Sequence, residues 1–135
     1  MIIGIGVDAV EIPRFEQWYS YSSKKLSRIF STCEITYCRK HPKKAAERFA
    51  VRFAAREAFF KALQSAYPQQ NLPFLYLCKQ ISIEKTPSGA PYIQASWNNI
   101  VPANQENSPS CTVSFTHTQQ TAIAWVLLES INTKK

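Results

Sequence analysis

Two carboxylates in apolar surroundings are the residues of this chain best suited to chemistry. Glu57 lies in a long helical pattern, where a period of 3.6 residues puts it on one face with Phe49 and Phe53. Asp8 is the only aspartate in the chain and ends the apolar run 1–7. An unpaired buried carboxylate is too costly to keep ionised. A glutamate on such a face must therefore either pair with a cation or extend to solvent at the edge of the apolar face. Together the two acids are candidate ligands of a metal ion.

Magnesium is the ion that this pair suits best, with manganese as an alternative. Hard divalent cations prefer oxygen ligands, keep several waters, and typically use one or two carboxylates together with substrate phosphate oxygens. Lys61 lies one helical turn beyond Glu57, where its ammonium could orient the carboxylate and reach a phosphate oxygen. Ordinary alternatives are an i,i+4 ion pair between Glu57 and Lys61 on a helix surface, and a strand-ending aspartate at Asp8. The spacing alone leaves both interpretations open.

The elements that must position these residues follow the order strand, helices, strands. Three signals mark helix starts, namely Pro13, Pro42 and the capping box of Ser31 with Glu34. Alternating apolar residues and turn residues mark the later strands. The predicted helices are 13–20, 32–39 and 43–66, the predicted strands are 2–10, 79–85, 91–95, 111–117 and 121–129, and 64–78 and 102–110 contain loops. This order indicates a single α+β domain, 1–135, with one antiparallel sheet packed against the long helix.

Composition limits the classes of function. With 135 residues, 45% of them hydrophobic, the chain suits one folded domain with a real core. The net charge of +7 implies an acidic partner, and charge alone leaves nucleic acid, an anionic membrane and an acidic protein open. The apolar run 122–128 is far shorter than the roughly 20 residues that span a bilayer, and no secretory signal is recognisable.

Cys33, Cys38 and His41 have the spacing of part of a zinc site, but no fourth ligand lies nearby in the sequence. We therefore expect these cysteines to pack as ordinary side chains, in a reducing, cytoplasmic setting.

Three blocks of the sequence resemble bacterial holo-(acyl-carrier-protein) synthase. They are residues 4–12, residues 52–63 and residues 113–118, in the order that the family has, and the chain has the family's length. The resemblance implies a 4′-phosphopantetheinyl transferase-like fold. It also implies the transfer of 4′-phosphopantetheine from coenzyme A to a serine of apo acyl carrier protein, with release of adenosine 3′,5′-bisphosphate, in fatty acid biosynthesis.

The resemblance assigns roles to particular residues. Asp8 and Glu57 would bind the metal, and both would be catalytic together with Lys61. Coenzyme A contacts would come from several parts of the chain. The expected contacts are Lys44, Arg52, Lys61, Ser114, His117 and Thr118. For His117, the ordinary alternative is a histidine satisfied within its strand.

A row of arginines follows the long helix. Arg48, Arg52 and Arg56 recur every four residues, which is typical of a solvated face, although Arg52 and Lys44 could reach nucleotide phosphates. The family often has lysine where Arg56 stands. Arginine preserves the charge but not the geometry.

The protein partner that the resemblance implies is acidic, which gives the positive net charge a purpose. Arg14 and Arg28, with Lys24 and Lys25 between them, lie close in sequence to Asp8. A basic first helix would dock an acidic carrier helix and speed the encounter electrostatically. The resemblance further implies a homotrimer whose active sites are shared between neighbouring subunits.

Two other functions would account for parts of the sequence. A broader-specificity phosphopantetheinyl transferase for other carrier domains usually contains two such halves in one chain, and this chain has the length of one. A basic nucleic-acid-binding module would explain the charge, but no recognisable nucleic-acid-binding motif is present. We therefore expect neither a nucleic acid nor a membrane as partner.

Overall fold

The computed structural model describes residues 1–131 and has an α+β architecture. The strands are β1 (Ile2–Glu11), β2 (Ile81–Lys85), β3 (Pro91–Ala95), β4 (Ser110–His117) and β5 (Thr121–Glu129). The α-helices are α1 (Ser23–Leu26), α2 (Thr32–Arg39), α3 (Pro42–Ala66) and α4 (Phe74–Cys78). Two 3-10 helices cover Ile12–Ser20 and Trp97–Asn99. The predicted antiparallel architecture with one long helix is confirmed.

The strands form two antiparallel sheets rather than the single sheet expected. β5 lies between β1 and β4 in a three-stranded sheet, and β2 pairs only with β3 in a hairpin. Residues 96–109 separate β3 from β4 and include a 3-10 turn and bends, so β3 lies beside β4 without pairing to it. In β5, the side chains of Ala122, Ala124, Val126 and Leu128 are buried, while Trp125 points to the other face.

β1 packs against α3 with almost no space between the two backbones. A Cβ atom on Gly6 would overlap the carbonyl oxygen of Ala58, and one on Gly4 would overlap that of Ala62. Both alanines are fully buried. Only glycine lets a strand backbone come this close to a helix. The two glycines of the first sequence block therefore set the distance between the strand and the helix.

Aromatic side chains hold the first 3-10 helix against α3. Phe15 and Trp18 have ring centroids 4.6 Å apart, and Phe15 lies 5.5 Å from Phe53 of α3. Tilted and edge-on ring pairs at these distances add to the stabilisation that comes from burial. Pro13 begins this segment as expected, but its hydrogen bonding is of the 3-10 type.

An ion pair inside the core joins α2 to α3. Arg56 Nη1 donates to Glu34 Oε2 at 2.7 Å, and Arg56 Nη2 donates to Glu34 Oε1 at 2.5 Å and to the carbonyl oxygen of Ile81 at 3.1 Å. The Arg56 and Glu34 side chains are both fully buried. The solvated-face interpretation is thus wrong for Arg56, because its planar guanidinium meets both oxygens of a buried carboxylate. It is also wrong for Arg52, which is buried.

Local signals located most elements correctly. The capping box is present, with the Ser31 side chain and the Glu34 side chain each accepting from the other's backbone N–H. The loop expected over 64–78 is partly wrong, because Phe74–Cys78 forms the short helix α4. Leu77 and Cys78 of α4 are buried, so the core favours a turn of helix that the sequence pattern does not indicate.

We expect the substitution Gly6→Ala to destabilise the protein by about 1–3 kcal/mol or more, since the added methyl group meets backbone that no side-chain rotation can clear. Chemical denaturation monitored by circular dichroism measures the change. Ala103→Ser, at an exposed position of the loop between β3 and β4, is the control and should leave the midpoint unchanged. Equal midpoints for Gly6→Ala and the unsubstituted protein would contradict the close contact.

Candidate active site

Asp8 and Lys61 meet where β1 passes over α3. Lys61 Nζ donates to Asp8 Oδ1 at 3.0 Å and to the carbonyl oxygen of Val7 at 3.1 Å. The Asp8 side chain is 17% exposed and that of Lys61 is 50% exposed. The lysine therefore bridges two elements and does not form the ordinary i,i+4 pair with Glu57. A half-exposed ion pair is worth at most about 1 kcal/mol, so the ammonium is free to exchange Asp8 for another anion.

Glu57 is a half-buried carboxylate beside this pair. Burial raises the pKa of its carboxyl group, the negative charge of Asp8 raises it further, and Lys61 and Arg14 oppose the shift without cancelling it. Within residues 1–131, the Glu57 side chain makes no hydrogen bond or salt bridge. Two neighbouring acids, one of them without a direct partner, form an arrangement that a cation would stabilise.

The donor set fits a hard divalent cation. Asp8 and Glu57 offer two neighbouring carboxylates, and within the described part of the chain no group of three or more metal-ligating side chains occurs. Magnesium accepts this small number of carboxylates, because it keeps waters and takes phosphate oxygens from a substrate. The predicted ligand pair is thus chemically suited to magnesium, and Lys61 lies within reach of any phosphate bound there.

The basic residues expected to dock a partner lie on the surface around the first 3-10 helix and α1. Arg14 is exposed, with its guanidinium 5.2 Å from the ring centroid of Phe53, and its charge acts on Glu57. Lys25 Nζ lies 3.7 Å from the ring centroid of Tyr21. Arg28 borders a groove of about 240 Å³, and Lys24 is exposed nearby. Arg14 therefore connects this basic surface to the acid pair.

The residues expected to bind coenzyme A do not surround the acid pair within one chain. Ser114 pairs with Trp125, which pairs with Val7, so these side chains lie on the sheet face opposite to α3. His117 lies on the α3 face, where its Nε2 is 3.0 Å from Glu47 Oε1. Asp8 belongs to that same inner face. Within one protomer, the three-stranded sheet therefore lies between Ser114 and the carboxylates of Asp8 and Glu57.

The other expected contacts are also dispersed. The Thr118 hydroxyl accepts from the backbone N–H groups of Gln120 and Thr121 and so stabilises the turn between β4 and β5. Lys44 is exposed on the first turn of α3, beside a surface groove of about 460 Å³. Arg52 is buried further along the same helix. Of the expected contacts, the structure brings only Lys61 to the acids.

The comparisons with known proteins decide the family. A model of the 4′-phosphopantetheinyl transferase superfamily matches residues 4–127. The chain belongs to this superfamily. It is similar to the holo-[acyl-carrier-protein] synthase of Treponema denticola, with 34% identity over 129 residues, 96% of this chain and 99% of the relative. It is also similar to that of Cytophaga hutchinsonii, with 36% identity over 129 residues, 94% of this chain and 97% of the relative.

Solved structures support the same assignment. The Chronobacterium ammoniagenes ACPS-CoA complex superposes with a TM-score of 0.78 and 25% identity, covering 96% of this chain and 98% of the other. The Helicobacter pylori holo-[acyl-carrier-protein] synthase in complex with coenzyme A gives a TM-score of 0.68 and 33% identity, covering 93% and 99%. The chain is therefore an enzyme, a 4′-phosphopantetheinyl transferase, and the predicted fold and family are confirmed. None of the helices in residues 1–131 is long and apolar enough to cross a membrane.

A cationic cluster around Tyr37 of the transferase was not predicted. The guanidinium carbons of Arg48 and Arg52 lie 4.1 Å and 4.5 Å from the centroid of the Tyr37 ring. Lys85 Nζ donates to the Tyr37 hydroxyl at 3.1 Å. Burial by itself would raise the pKa of Tyr37, but the Lys85 hydrogen bond and the charges of Lys85, Arg48 and Arg52 lower it on balance. Only the four-residue spacing of the arginines hinted at this cluster.

We expect the substitution Glu57→Gln to raise the melting temperature of the transferase at pH 7. A raised carboxyl pKa means that the folded state binds the proton more tightly than the unfolded state, so stability falls as pH rises from the ordinary to the raised pKa. Glutamine removes that cost. The difference should shrink as the pH falls below the ordinary pKa of a glutamate, where the carboxyl group becomes protonated in both states. Thermal melts across this pH range measure it.

The matched control is Glu16→Gln, which removes an exposed negative charge from the first 3-10 helix. It separates the local effect at Glu57 from the general effect of making a basic protein more basic. A lower melting temperature for Glu57→Gln at pH 7 would mean that Lys61 and Arg14 stabilise the carboxylate more than burial and Asp8 destabilise it.

Proposed function

We propose that this transferase is a holo-(acyl-carrier-protein) synthase. It would move 4′-phosphopantetheine from coenzyme A to a serine of apo acyl carrier protein, release adenosine 3′,5′-bisphosphate, and serve fatty acid biosynthesis. The observation that carries the proposal is the meeting of Asp8, Glu57 and Lys61 at the contact of β1 with α3. Near full-length similarity to relatives of that name supports it. The cytoplasm is the compartment that we propose, and the four thiols, all free, suit it.

Asp8 and Glu57 are the residues that we propose as ligands of magnesium, with manganese as the alternative. Bound there, the ion would neutralise the pyrophosphate of coenzyme A. Lys61 would leave Asp8 for a phosphate oxygen, which its half-exposed side chain permits. The chain thus offers one positive group that can move between a protein carboxylate and the substrate.

The reaction is a substitution at phosphorus. The serine oxygen forms a bond to the β-phosphorus, and the bond from that phosphorus to the bridging oxygen breaks, so that adenosine 3′,5′-bisphosphate leaves with the electron pair. The serine must also lose its proton. Two bases would be available, the Glu57 carboxylate and a water bound to the metal, since a cation at Glu57 would lower the pKa of that carboxyl group.

The carrier protein would dock on the basic surface formed by Arg14, Lys24, Lys25 and Arg28. All four side chains are exposed, and the groove beside Arg28 is apolar, lined by residues such as Trp18. Positive charge around an apolar groove suits an acidic amphipathic helix. Because Arg14 also acts on Glu57, a docked carrier would present its serine close to that carboxylate.

We propose that the active enzyme is a homotrimer. The outer face of the three-stranded sheet exposes Ile5, Val7, Ile123 and Trp125, of which Trp125 is 51% exposed. A groove of about 330 Å³ on this face includes Ser114. An apolar patch rimmed by hydroxyl groups is typical of an interface. Packing this face against neighbours would bring Ser114 to another subunit and complete a shared coenzyme A site.

The decisive experiment is intact mass spectrometry of apo acyl carrier protein after incubation with coenzyme A, magnesium and the enzyme. We expect a mass gain of one phosphopantetheine. We expect Asp8→Asn and Glu57→Gln to lower the initial rate at least about 100-fold, and a chelator to stop it. Glu16→Gln should transfer at the full rate. No gain with several carrier proteins would exclude the proposed reaction, and transfer unaffected by the chelator would exclude the metal.

We expect light scattering coupled to gel filtration to give about three times the chain mass of 15.4 kDa. Trp125→Arg should give monomers, because a charged side chain would be buried in the interface. Tyr76→Arg is the matched control, since this tyrosine is similarly exposed but lies on α4. A monomeric unsubstituted protein would contradict the trimer.

A further inference from the structure

The helix α1 carries part of the proposed docking surface but is too short to be stable by itself. It has four residues, and Leu26 is the only one of them that is buried. Its first turn is closed by Ser22, whose hydroxyl oxygen accepts from the backbone N–H of Lys25 at 3.1 Å. A single helical turn costs more conformational entropy than its few hydrogen bonds offset. The orientation of Lys24 and Lys25 therefore depends on contacts that α1 makes with the rest of the protein.

Arg39, in the last turn of α2, makes the contacts that hold the start of α1. Its Nη1 donates to Ser23 Oγ at 2.9 Å, and its Nη2 donates to the carbonyl oxygen of Tyr21. The planar guanidinium can bind two acceptors at once in a fixed geometry, which a lysine ammonium cannot reproduce. Arg39 therefore fixes the point where the chain leaves the first 3-10 helix and enters α1.

The helix that carries Arg39 is itself anchored in the core. The capping box of Ser31 with Glu34 closes the start of α2. Glu34 is buried and accepts from Arg56 of α3 through both carboxylate oxygens. Ile35 of α2 is buried as well. The side chain of Arg39 thus connects α1 to the core of the protein.

The Arg39 guanidinium has neutral partners only. Within residues 1–131 none of the salt bridges includes it, and both of its terminal nitrogens donate to oxygen atoms of Tyr21 and Ser23. The residue is half-buried. An arginine that served only as surface charge would extend into solvent. These contacts indicate that Arg39 holds the chain and does not mainly supply charge.

The residues that Arg39 holds also form the groove of the docking surface. Tyr21 and Lys25 line the groove of about 240 Å³ together with Trp18. Lys25 Nζ lies 3.7 Å from the centroid of the Tyr21 ring, and that centroid lies 5.9 Å from the one of Trp18. Arg39 itself borders a different groove, which Ser23 also lines. A substitution at Arg39 would therefore loosen the wall of the docking groove without removing a residue that lines it.

We propose that Arg39 is a positioning residue for carrier docking, which holds Tyr21 and α1 in the arrangement that the acidic carrier binds. The inference rests on the proposed function. A surface that is already ordered binds its partner more tightly than one that becomes ordered on binding, because less conformational entropy is then lost. Without the Arg39 contacts, the groove and its cations would remain, but the carrier would have to order them.

The test measures KM for apo acyl carrier protein, KM for coenzyme A, and kcat. We expect Arg39→Met to raise the KM for the carrier about tenfold, with the KM for coenzyme A and kcat within about twofold. Arg39→Lys can reach one of the two acceptors and should give an intermediate KM. Lys40→Met is the matched control, because Lys40 is the next residue, is exposed and carries the same charge. It should behave as the unsubstituted enzyme.

A second variant separates the holding of α1 from direct attraction between Arg39 and the carrier. Ser23→Ala removes the acceptor of Arg39 Nη1 and changes no charge. We expect it to raise the KM for the carrier, and to add little in the Arg39→Met background, since both changes remove the same contact. A normal KM for Ser23→Ala beside a raised one for Arg39→Met would make Arg39 a direct carrier contact and overturn the positioning role. This conservative variant keeps the test decisive if Arg39→Met folds poorly.

Hydrogen exchange provides a readout that needs neither carrier nor turnover. In α1, the backbone N–H of Leu26 donates to the Ser22 carbonyl oxygen, and that of Ser27 donates to the Ser23 carbonyl oxygen. We expect Arg39→Met to speed deuterium uptake in the peptide 21–30 severalfold and to leave uptake in α3 unchanged. Lys40→Met should change neither. Unchanged uptake in the peptide 21–30, or faster uptake throughout the chain, would overturn the inference.

The outcomes distinguish this inference from the function on which it rests. If the enzyme transfers phosphopantetheine but Arg39→Met and Ser23→Ala keep the normal KM for the carrier, the positioning role is overturned and the function stands. If the unsubstituted enzyme transfers nothing to several carrier proteins, both are overturned. A raised KM that is confined to the carrier, with local loosening of the peptide 21–30, supports the inference.

Discussion

The close contact between β1 and α3 is the constraint on which the acid cluster depends. Gly6 lies against Ala58, and the next inward-facing residue of β1 is Asp8. On α3, Glu57 precedes Ala58 and Lys61 precedes Ala62, so both polar side chains emerge beside the small residues that permit the contact. A strand held a few ångströms further away would leave Asp8 out of reach of Lys61. The small side chains at the contact between β1 and α3 thus determine whether Asp8 can pair with Lys61.

α3 carries some charged side chains that are paired with an opposite charge and others that are not. The paired ones stabilise the fold, whereas the unpaired ones are candidates for function. Arg56 is buried and fully matched by Glu34, so this pair stabilises the joint between α2 and α3. Arg52 is buried without a carboxylate, and Glu57 is half-buried beside another acid. Charged groups without an opposite charge destabilise the fold. In an enzyme, such groups are where a bound substrate or ion supplies the opposite charge.

Sequence reasoning succeeded where the signal was local. Proline at helix starts, the capping box of Ser31 with Glu34, and strand alternation located most elements. The two acids that the sequence singled out, Asp8 and Glu57, are close enough for the charge of one to act on the other. It failed where partners are distant in the chain. Glu34 meets Arg56 across 22 positions, and Tyr37 meets Lys85 across 48 positions. No local pattern marks such pairs, because the tertiary fold alone decides which arginine of a row is buried.

The distribution of site residues over the sheet has a consequence for assembly. Asp8 and Glu57 belong to the face covered by α3, whereas Ser114 belongs to the opposite face with Trp125. A ligand that contacts both groups cannot do so within one chain, because the three-stranded sheet lies between them. The outer face is also the one that carries apolar side chains without cover. Burying that face against a neighbour would satisfy both requirements with a single contact, so the proposed trimer and the proposed coenzyme A site depend on the same surface.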